Sequence, residues 1–312
     1  MKFDKEILKE KTNNLIDKTK SVTVNTKEKS VEIAKKATEN LNDSKEKLIK
    51  SMDQNGDGDI TIEDVIIVGL KFPGIKINRN EFLKKEFITH YPEDTVNIIV
   101  NKNPAAANIA IEEIDKIADD VIQYERLRVS GVSTALSVPG GIAMVATLPT
   151  DIAQYYGYML RAAQKLLYLY GFPQIDIEDE QLLDSATMNT IIVCMGVMYG
   201  VAGANTALKT MAKALGKGVE KKLINAALTK GTIYPIVKAT AKWFNVRMTK
   251  EIFAGFFKKS IPVVGGVIGG GITYTTFKPC CERLKKELRE TRLANPNIND
   301  ADIEEIIDEN NK

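Results

Sequence analysis

The sequence predicts an all-α protein, in which a Gly-rich helical domain follows a helix–loop–helix unit and a Lys/Glu-rich helical arm. Apolar residues recur every three or four positions over long stretches, as between Ile111 and Ile122, which is the spacing of a helix face. Alternating β-branched residues, which would indicate strands, are few. The ten prolines also argue against an all-β fold.

The N-terminal arm is strongly charged. Residues 1–50 contain thirteen lysines and nine acidic residues, a net charge of +4. The composition favours helix, but the apolar stripe is thin. Two interpretations stand for residues 1–40: a solvated, mobile helical arm, or a helix that binds a membrane surface or a partner.

Twelve residues from Asp53 to Asp64 have the spacing of a cation-binding loop. Oxygen-bearing side chains occupy positions 1, 3 and 5, a glycine occupies position 6, and position 7 needs only its backbone carbonyl. The pattern resembles the EF-hand family, which implies helices at Leu41–Met52 and Ile62–Phe72 in a unit over residues 41–90. A turn that binds no cation is the alternative. The predicted ligands are Asp53, Asn55, Asp57, Asp59, Thr61 and Asp64.

Position 12 of this loop departs from the family. Asp64 stands where a bidentate Glu is usual, so we expect weakened Ca²⁺ binding, or a shift in selectivity toward the smaller Mg²⁺. EF-hands usually occur in pairs, and the segment after Pro73–Gly74 has no second set of ligands. We expect a vestigial, metal-free partner loop there, with Ile75–Ile77 as a strand opposite Ile60 and Asn78 capping the next helix.

Three long uncharged runs follow, at residues 129–150, 185–208 and 260–277. Each has about the 20 residues that span a bilayer. Their serines, threonines, asparagines and glycines instead favour a compact, Gly-rich helical core. A membrane-inserting protein that uses these runs remains the alternative.

Residues 205–260 are strongly basic, with twelve Lys or Arg against two Glu, a net charge of +10. An apolar helix face lies beside the lysines, and aromatic residues are interspersed among them. Amphipathic basic helices of this kind suit an anionic membrane surface. Nucleic acid is the less favoured partner, because no recognised nucleic-acid-binding motif accompanies the charge. The candidate lipid contacts are Lys209, Lys213, Lys217, Lys221, Lys242 and Trp243.

The middle of the chain resembles the EcsC family of bacterial proteins. The resemblance rests on the Gly/Ala/Ser-rich stretch 130–148, on Leu-Pro-Thr-Asp-Ile at residues 148–152, and on Tyr-Gly-Phe at residues 170–172. It covers about residues 80–280. It implies a helical, membrane-associated domain over residues 91–280 without an established activity, followed by a charged helical tail over residues 281–312.

One polar stripe accompanies this resemblance. Pro149 and Thr150 predict a helix start with Thr150 as the N-cap. Asp151, Gln154, Tyr158 and Arg161 then follow at helical spacing and predict a polar groove for a lipid head group or a partner. Asp151 and Arg161 are about 15 Å apart along the helix axis, so each needs a partner elsewhere.

Catalytic patterns are scarce in the sequence. His90 is the single histidine, and neither a phosphate-binding loop nor a nucleophile motif is present. We therefore expect a non-enzymatic, calcium-binding regulatory or scaffolding protein. The charged N-terminal stretch is unlike a signal peptide. We expect a cytoplasmic protein at the inner membrane, peripheral and not secreted, whose partner is an anionic membrane surface or a membrane protein.

Overall fold

A computed structural model describes residues 52–54, 56–136, 143–177, 185–217, 221–259, 265–296 and 298. All of these residues belong to one compact unit, residues 50–312. The described residues are helical with no strand, which confirms the all-α prediction. The arm, the entering helix before Met52 and the acidic segment after residue 298 lie outside the described residues, as do residues 137–142 of the Gly-rich stretch.

Ten α-helices and one 3₁₀ turn, at Ala105–Ala107, lie within the described ranges. The α-helices are α1 (Ile62–Leu70), α2 (Arg79–Phe87), α3 (Glu93–Asn101), α4 (Ile111–Leu136), α5 (Ala143–Leu169), α6 (Ser185–Tyr199), α7 (Ala204–Gly216), α8 (Lys221–Lys230), α9 (Tyr234–Lys259) and α10 (Gly265–Arg289).

Three long helices, α4, α5 and α10, form the centre of the fold. Helices α4 and α10 pack along each other, and α5 contacts both of them. Asp115 of α4 joins all three, because it accepts hydrogen bonds from Tyr170 (2.6 Å), just after α5, and from Arg289 of α10 (2.6 Å). Helix α6 packs against α5, α7, α8, α9 and α10.

Helices α2 and α3 are joined to this centre by a buried arginine. Arg79 is 6% exposed, and its guanidinium donates to the carbonyls of Phe172 (3.0 Å), Val100 (2.7 Å) and Lys102 (2.6 Å). These carbonyls lie near the ends of α5 and α3, where helix dipoles favour a cation. One side chain thereby fixes α2 to two other helices.

The structure corrects the predicted boundaries of two helices. Helix α5 begins at Ala143, so Thr150 does not cap it, and Pro149 lies within it. Helix α10 runs without a break from Gly265 through Pro279 to Arg289. The predicted end of the Gly-rich domain at residue 280 therefore falls inside a helix.

The structure also corrects the prediction of a partner strand for the candidate cation loop. Asn78 caps α2 as predicted, accepting from the backbone N–H of Glu81 at 3.0 Å. Ile75–Ile77 is not a strand, because a side chain of α5 satisfies its backbone. The Gln164 amide accepts from the Ile77 N–H (2.9 Å) and donates to the Ile75 carbonyl (3.1 Å).

The Tyr-Gly-Phe segment ends α5 at a position that only glycine fits. Gly171 has a φ of +95°, and a Cβ there would lie 3.0 Å from the carbonyl oxygen of Leu293. A side chain would be strained by the backbone and would clash with the chain that follows α10. Among the described helices, none is long and apolar enough to cross a membrane.

Glycine also sets the distance between α6 and its neighbours. A Cβ at Gly196 would lie 2.7 Å from Thr240 Cγ2 and 2.9 Å from Ala204 Cβ. We expect Gly196→Ala to lower the free energy of unfolding by about 1–2 kcal/mol, because overpacking outweighs the gain in helix propensity. Urea denaturation followed by far-UV circular dichroism measures this change.

Gly216→Ala is the matched control. A Cβ at Gly216 would meet only Leu293 Cδ2, at 3.9 Å, an ordinary contact. We expect this variant to be as stable as the parent or slightly more stable. Equal stability of the two variants would contradict a glycine requirement at the α6 crossing.

Candidate cation site

The loop from Asp53 to Asp64 is organised around the carboxylate of Asp53. One Asp53 oxygen accepts the N–H of Gly56 at 2.6 Å, and the other accepts the N–H of Gly58 at 2.9 Å. Both glycines have positive φ, +77° and +88°, which lets the chain wrap tightly around this side chain. The loop therefore curls around position 1, as a loop that surrounds a cation must.

The other predicted ligands lie along the same turn. Asp57 and Asp59 are exposed, and one Asp57 oxygen accepts the N–H of Asp59 at 2.9 Å. Thr61 is the N-cap of α1, with its hydroxyl oxygen accepting the N–H of Asp64. Asn55 lies outside the described residues.

Asp64 closes the loop through hydrogen bonds. Its Oδ1 accepts the backbone N–H of Gln54 at 2.9 Å. Its Oδ2 accepts the backbone N–H of Thr61 at 2.9 Å and the Thr61 hydroxyl at 2.6 Å. The residue is 2% exposed. Asp64 thereby joins position 2 to position 9 and completes a capping box.

The residue types suit a hard cation, because the loop offers carboxylates, a hydroxyl and backbone carbonyls. Asp53 and Asp57 would hold the ion through their side chains and Asp59 through its carbonyl. Asp64 would have to give up hydrogen bonds to bind the ion with both oxygens. Within the described part of the chain, no three His, Cys, Asp or Glu side chains form a group that could hold a metal.

Helix α1 and the turn that follows it contact the rest of the helical domain at three points. The N–H of Ile62, at its start, donates to Asn245 Oδ1 of α9 at 2.9 Å. Near its end, Gly69 faces Gly157 of α5 so closely that a Cβ on Gly157 would lie 3.1 Å from the Gly69 carbonyl oxygen. Beyond its end, Arg161 of α5 donates to the Gly74 carbonyl.

Arg161 also belongs to a buried charge cluster that sequence reasoning missed. Glu125 of α4 is fully buried, and its Oε1 accepts from Arg161 Nε at 2.8 Å and from Lys165 Nζ at 2.6 Å. Its Oε2 is buried and has no hydrogen-bond partner within the described residues. A sequence signal was available, since Glu125 falls at helical spacing among the buried Val121, Ile122 and Val129.

The predicted polar groove is largely closed. Gln154 and Tyr158 are 7% and 8% exposed, and the Arg128 guanidinium lies 5.7 Å from the Tyr158 ring centroid. Arg161 bonds Glu125 and the Gly74 carbonyl, in agreement with the prediction that its partner is not Asp151. The side chain of Asp151 lies outside the described part.

The predicted lipid contacts fall into different environments. Lys209 is 7% exposed and pairs with Glu287 (3.1 Å) and Glu290 (2.8 Å) of the α10 end, so its ammonium group is turned inward. Trp243 is partly buried and packs on Phe244 and Tyr199. Lys217 and Lys242 are exposed, Lys213 is partly exposed, and the side chain of Lys221 lies outside the described residues.

The three thiols, Cys194, Cys280 and Cys281, are buried. Burial raises the pKa of Cys194 to about 12 and the pKa of Cys281 well above its ordinary value. Neither group is therefore an activated nucleophile. His90, the single histidine, is exposed just beyond α2.

Comparison with the models of known families, with curated proteins and with solved structures finds no match for this chain. The resemblances to the EF-hand and EcsC families therefore stay predictions. The fold and the contacts described above carry the functional argument.

The charge cluster yields a stability prediction. Glu125→Gln removes the buried carboxylate that Arg161 and Lys165 share. Breaking such a cluster costs about 3 kcal/mol or more of the free energy of unfolding. We expect that loss in the free energy of unfolding, measured by urea denaturation. Glu282→Gln is the control, since Glu282 forms a 3.8 Å exposed pair with Lys278 and its loss costs about 0.5 kcal/mol or less. Equal losses would show that Glu125 has no special role.

Proposed function

We propose that this chain is a calcium-binding, non-enzymatic, membrane-associated regulatory or scaffolding protein. The cation bound at the Asp53–Asp64 loop sets the angle between the predicted entering helix, Leu41–Met52, and the exiting helix α1. The observation that carries the proposal is the Asp53 carboxylate, which gathers the loop through the N–H groups of Gly56 and Gly58. Two positive-φ glycines and the capped start of α1 support the same geometry.

The contacts of α1 supply the route from the cation to the rest of the protein. Helix α1 is bound at its start by Asn245 and beyond its end by Arg161 and Gln164. These contacts hold α1 on α5 and α9, which supports a cation that sets the angle between α1 and the predicted entering helix.

The membrane part of the proposal rests on charge. Residues 205–260 carry a net charge of +10, and the exposed Lys217 and Lys242 belong to them. An anionic membrane surface attracts such segments, at about 1 kcal/mol for each Lys or Arg near it. The proposed location is the cytoplasmic face of the inner membrane.

Calorimetric titration of the full chain with Ca²⁺ tests the cation site. We expect one binding event, retained in millimolar Mg²⁺ and lost in Asp53→Ala. Loss of an outer-shell partner alone costs about 10–100-fold in metal affinity, and loss of a ligand costs at least as much. Asp59→Ala is the control, because position 7 binds through its backbone carbonyl.

Four outcomes are informative. Equal loss in Asp53→Ala and Asp59→Ala would indicate general electrostatic attraction rather than a site. No heat in the parent chain would contradict the cation proposal. Binding accompanied by a change in far-UV circular dichroism indicates a sensor, and binding without such a change indicates a structural ion.

Asp64→Glu tests the departure at position 12. Glu is one methylene longer and also completes a capping box with Thr61, so α1 should keep its start. We expect Ca²⁺ to bind about tenfold more tightly, with less competition from Mg²⁺, because the ion gains a bidentate ligand. Unchanged affinity in the same titration would place residue 64 outside the ion's ligands.

A further inference from the structure

The described parts of two of the three uncharged runs lie side by side at one end of the central helices. Helices α4 and α10 are antiparallel, since Arg289 bonds Asp115, Lys285 bonds Asp119, and Arg126 bonds the Tyr274 carbonyl at 2.7 Å. Residue numbers thus fall along α10 as they rise along α4. Beyond the Arg126–Tyr274 contact, α4 continues to Leu136 and α10 extends back to Gly265.

The start of α5 lies at the same end. Lys165 and Arg161 bond Glu125, and Tyr170 bonds Asp115, so α5 is antiparallel to α4. Three helix ends therefore meet there: residues 129–136 of α4, 143–150 of α5 and 265–277 of α10. None of these segments contains a charged residue.

A belt of aromatic and basic side chains borders this uncharged end. Tyr124, Leu127 and Tyr274 are 57%, 55% and 38% exposed, although all three are large and apolar in their bulk. The Arg126 guanidinium lies over the Tyr274 ring, 3.4 Å from its centroid. The interfacial belt, as we name it, consists of Tyr124, Arg126, Leu127, Arg128, Tyr274 and Lys278.

Acidic, basic and uncharged residues follow one another along α4 in the order expected at a membrane interface. The exposed charges from Glu112 to Asp120 are acidic apart from Lys116, Arg126 and Arg128 follow in the belt beside the buried Glu125, and no charge follows to the end of the helix. Aromatic and basic residues concentrate where a protein meets lipid head groups, and uncharged residues lie beyond them. The exposed acidic residues of α4 thereby lie on the far side of the belt from the uncharged end.

The remaining uncharged run differs in position. In α6, Ile191, Ile192, Val193, Met195 and Met198 are all buried. Residues around the whole circumference of α6 are covered by other helices, so its apolar composition is explained by the core. Residues 205–260 also offer fewer side chains for lipid contact than their charge suggests, since Lys209 is paired and Trp243 packs inward.

We propose that the interfacial belt docks this end of the α4–α5–α10 bundle on an anionic lipid bilayer. Leu127, Tyr124 and Tyr274 enter the head-group region, and Arg126, Arg128 and Lys278 pair with lipid phosphates. This deepens the proposed membrane association and rests on it, because it names the surface that makes the contact. The belt makes the contact with the lipid head groups, and the lysines of α7–α9 add only general attraction to the anionic surface.

The test is co-sedimentation of the full chain with vesicles of phosphatidylcholine, alone or mixed with phosphatidylglycerol. We expect binding to the mixed vesicles that weakens with salt. Leu127→Glu should lower the partition coefficient about tenfold, and Lys278→Gln about fivefold. Both side chains are exposed, and circular dichroism melting checks that the variants fold like the parent.

Two control variants lie on α9. Val246→Glu makes the same type of change at a side chain of similar exposure, 53%, and Lys242→Gln removes an exposed lysine of the basic segment. We expect both to bind like the parent. Loss of binding in these two variants with normal binding of Leu127→Glu would overturn the inference and assign the contact to α9.

Repeating the assay with Ca²⁺, with EDTA and in Asp53→Ala separates this inference from the cation proposal. Binding that Leu127→Glu abolishes but Ca²⁺ does not alter supports the belt without cation control. Binding that Asp53→Ala abolishes but Leu127→Glu leaves intact supports cation control and overturns the belt. Failure of the parent chain to bind either vesicle overturns both the belt and the membrane association.

Discussion

The arrangement of the central helices depends on the ion pairs made by the buried carboxylate of Glu125. It lies on α4 and binds two cations of α5, Arg161 and Lys165. A lone buried charge would cost several kcal/mol, and the cluster is tolerated only because opposite charges meet in good geometry. Two cations around one carboxylate fix the register of α5 against α4. Because Arg161 also bonds the Gly74 carbonyl, the same cluster fixes the turn that follows α1.

This arrangement also supports the proposed cation loop, for which the sequence offers no paired loop. An isolated EF-hand lacks the second loop whose backbone usually steadies the first. Here Gln164 of α5 bonds both Ile75 and Ile77, so α5 holds the segment that follows α1. The close approach of Gly69 and Gly157 lets α1 lie near the α5 backbone. The loop is therefore coupled to α5 through the contacts of α1 and of the residues that follow it.

Several features could be predicted from the sequence because they depend on local chemistry. The all-α class followed from apolar periodicity, and the Asn78 cap followed from a residue preference that acts within one turn. The Asp53 turn followed from glycine positions. The features that were missed depend on contacts distant in sequence. Glu125 meets Arg161 across 36 residues, and the inward position of Lys209 depends on acids at the far end of α10.

The three uncharged runs show why composition alone does not assign a role. All three contain similar mixtures of apolar and small residues, yet α6 is enclosed by other helices while the ends of α4 and α10 lie together at one end. The distinction comes from what borders each run. Helix α6 ends among packed aromatic residues, the partly buried Tyr199 and the buried Phe244, whereas the α4 run is bordered by exposed Leu127 and by Arg126 stacked on Tyr274. A border of exposed aromatic and basic side chains is favourable where lipid head groups are the neighbour, and that border, more than the glycines, distinguishes the end proposed to face the membrane from a core helix.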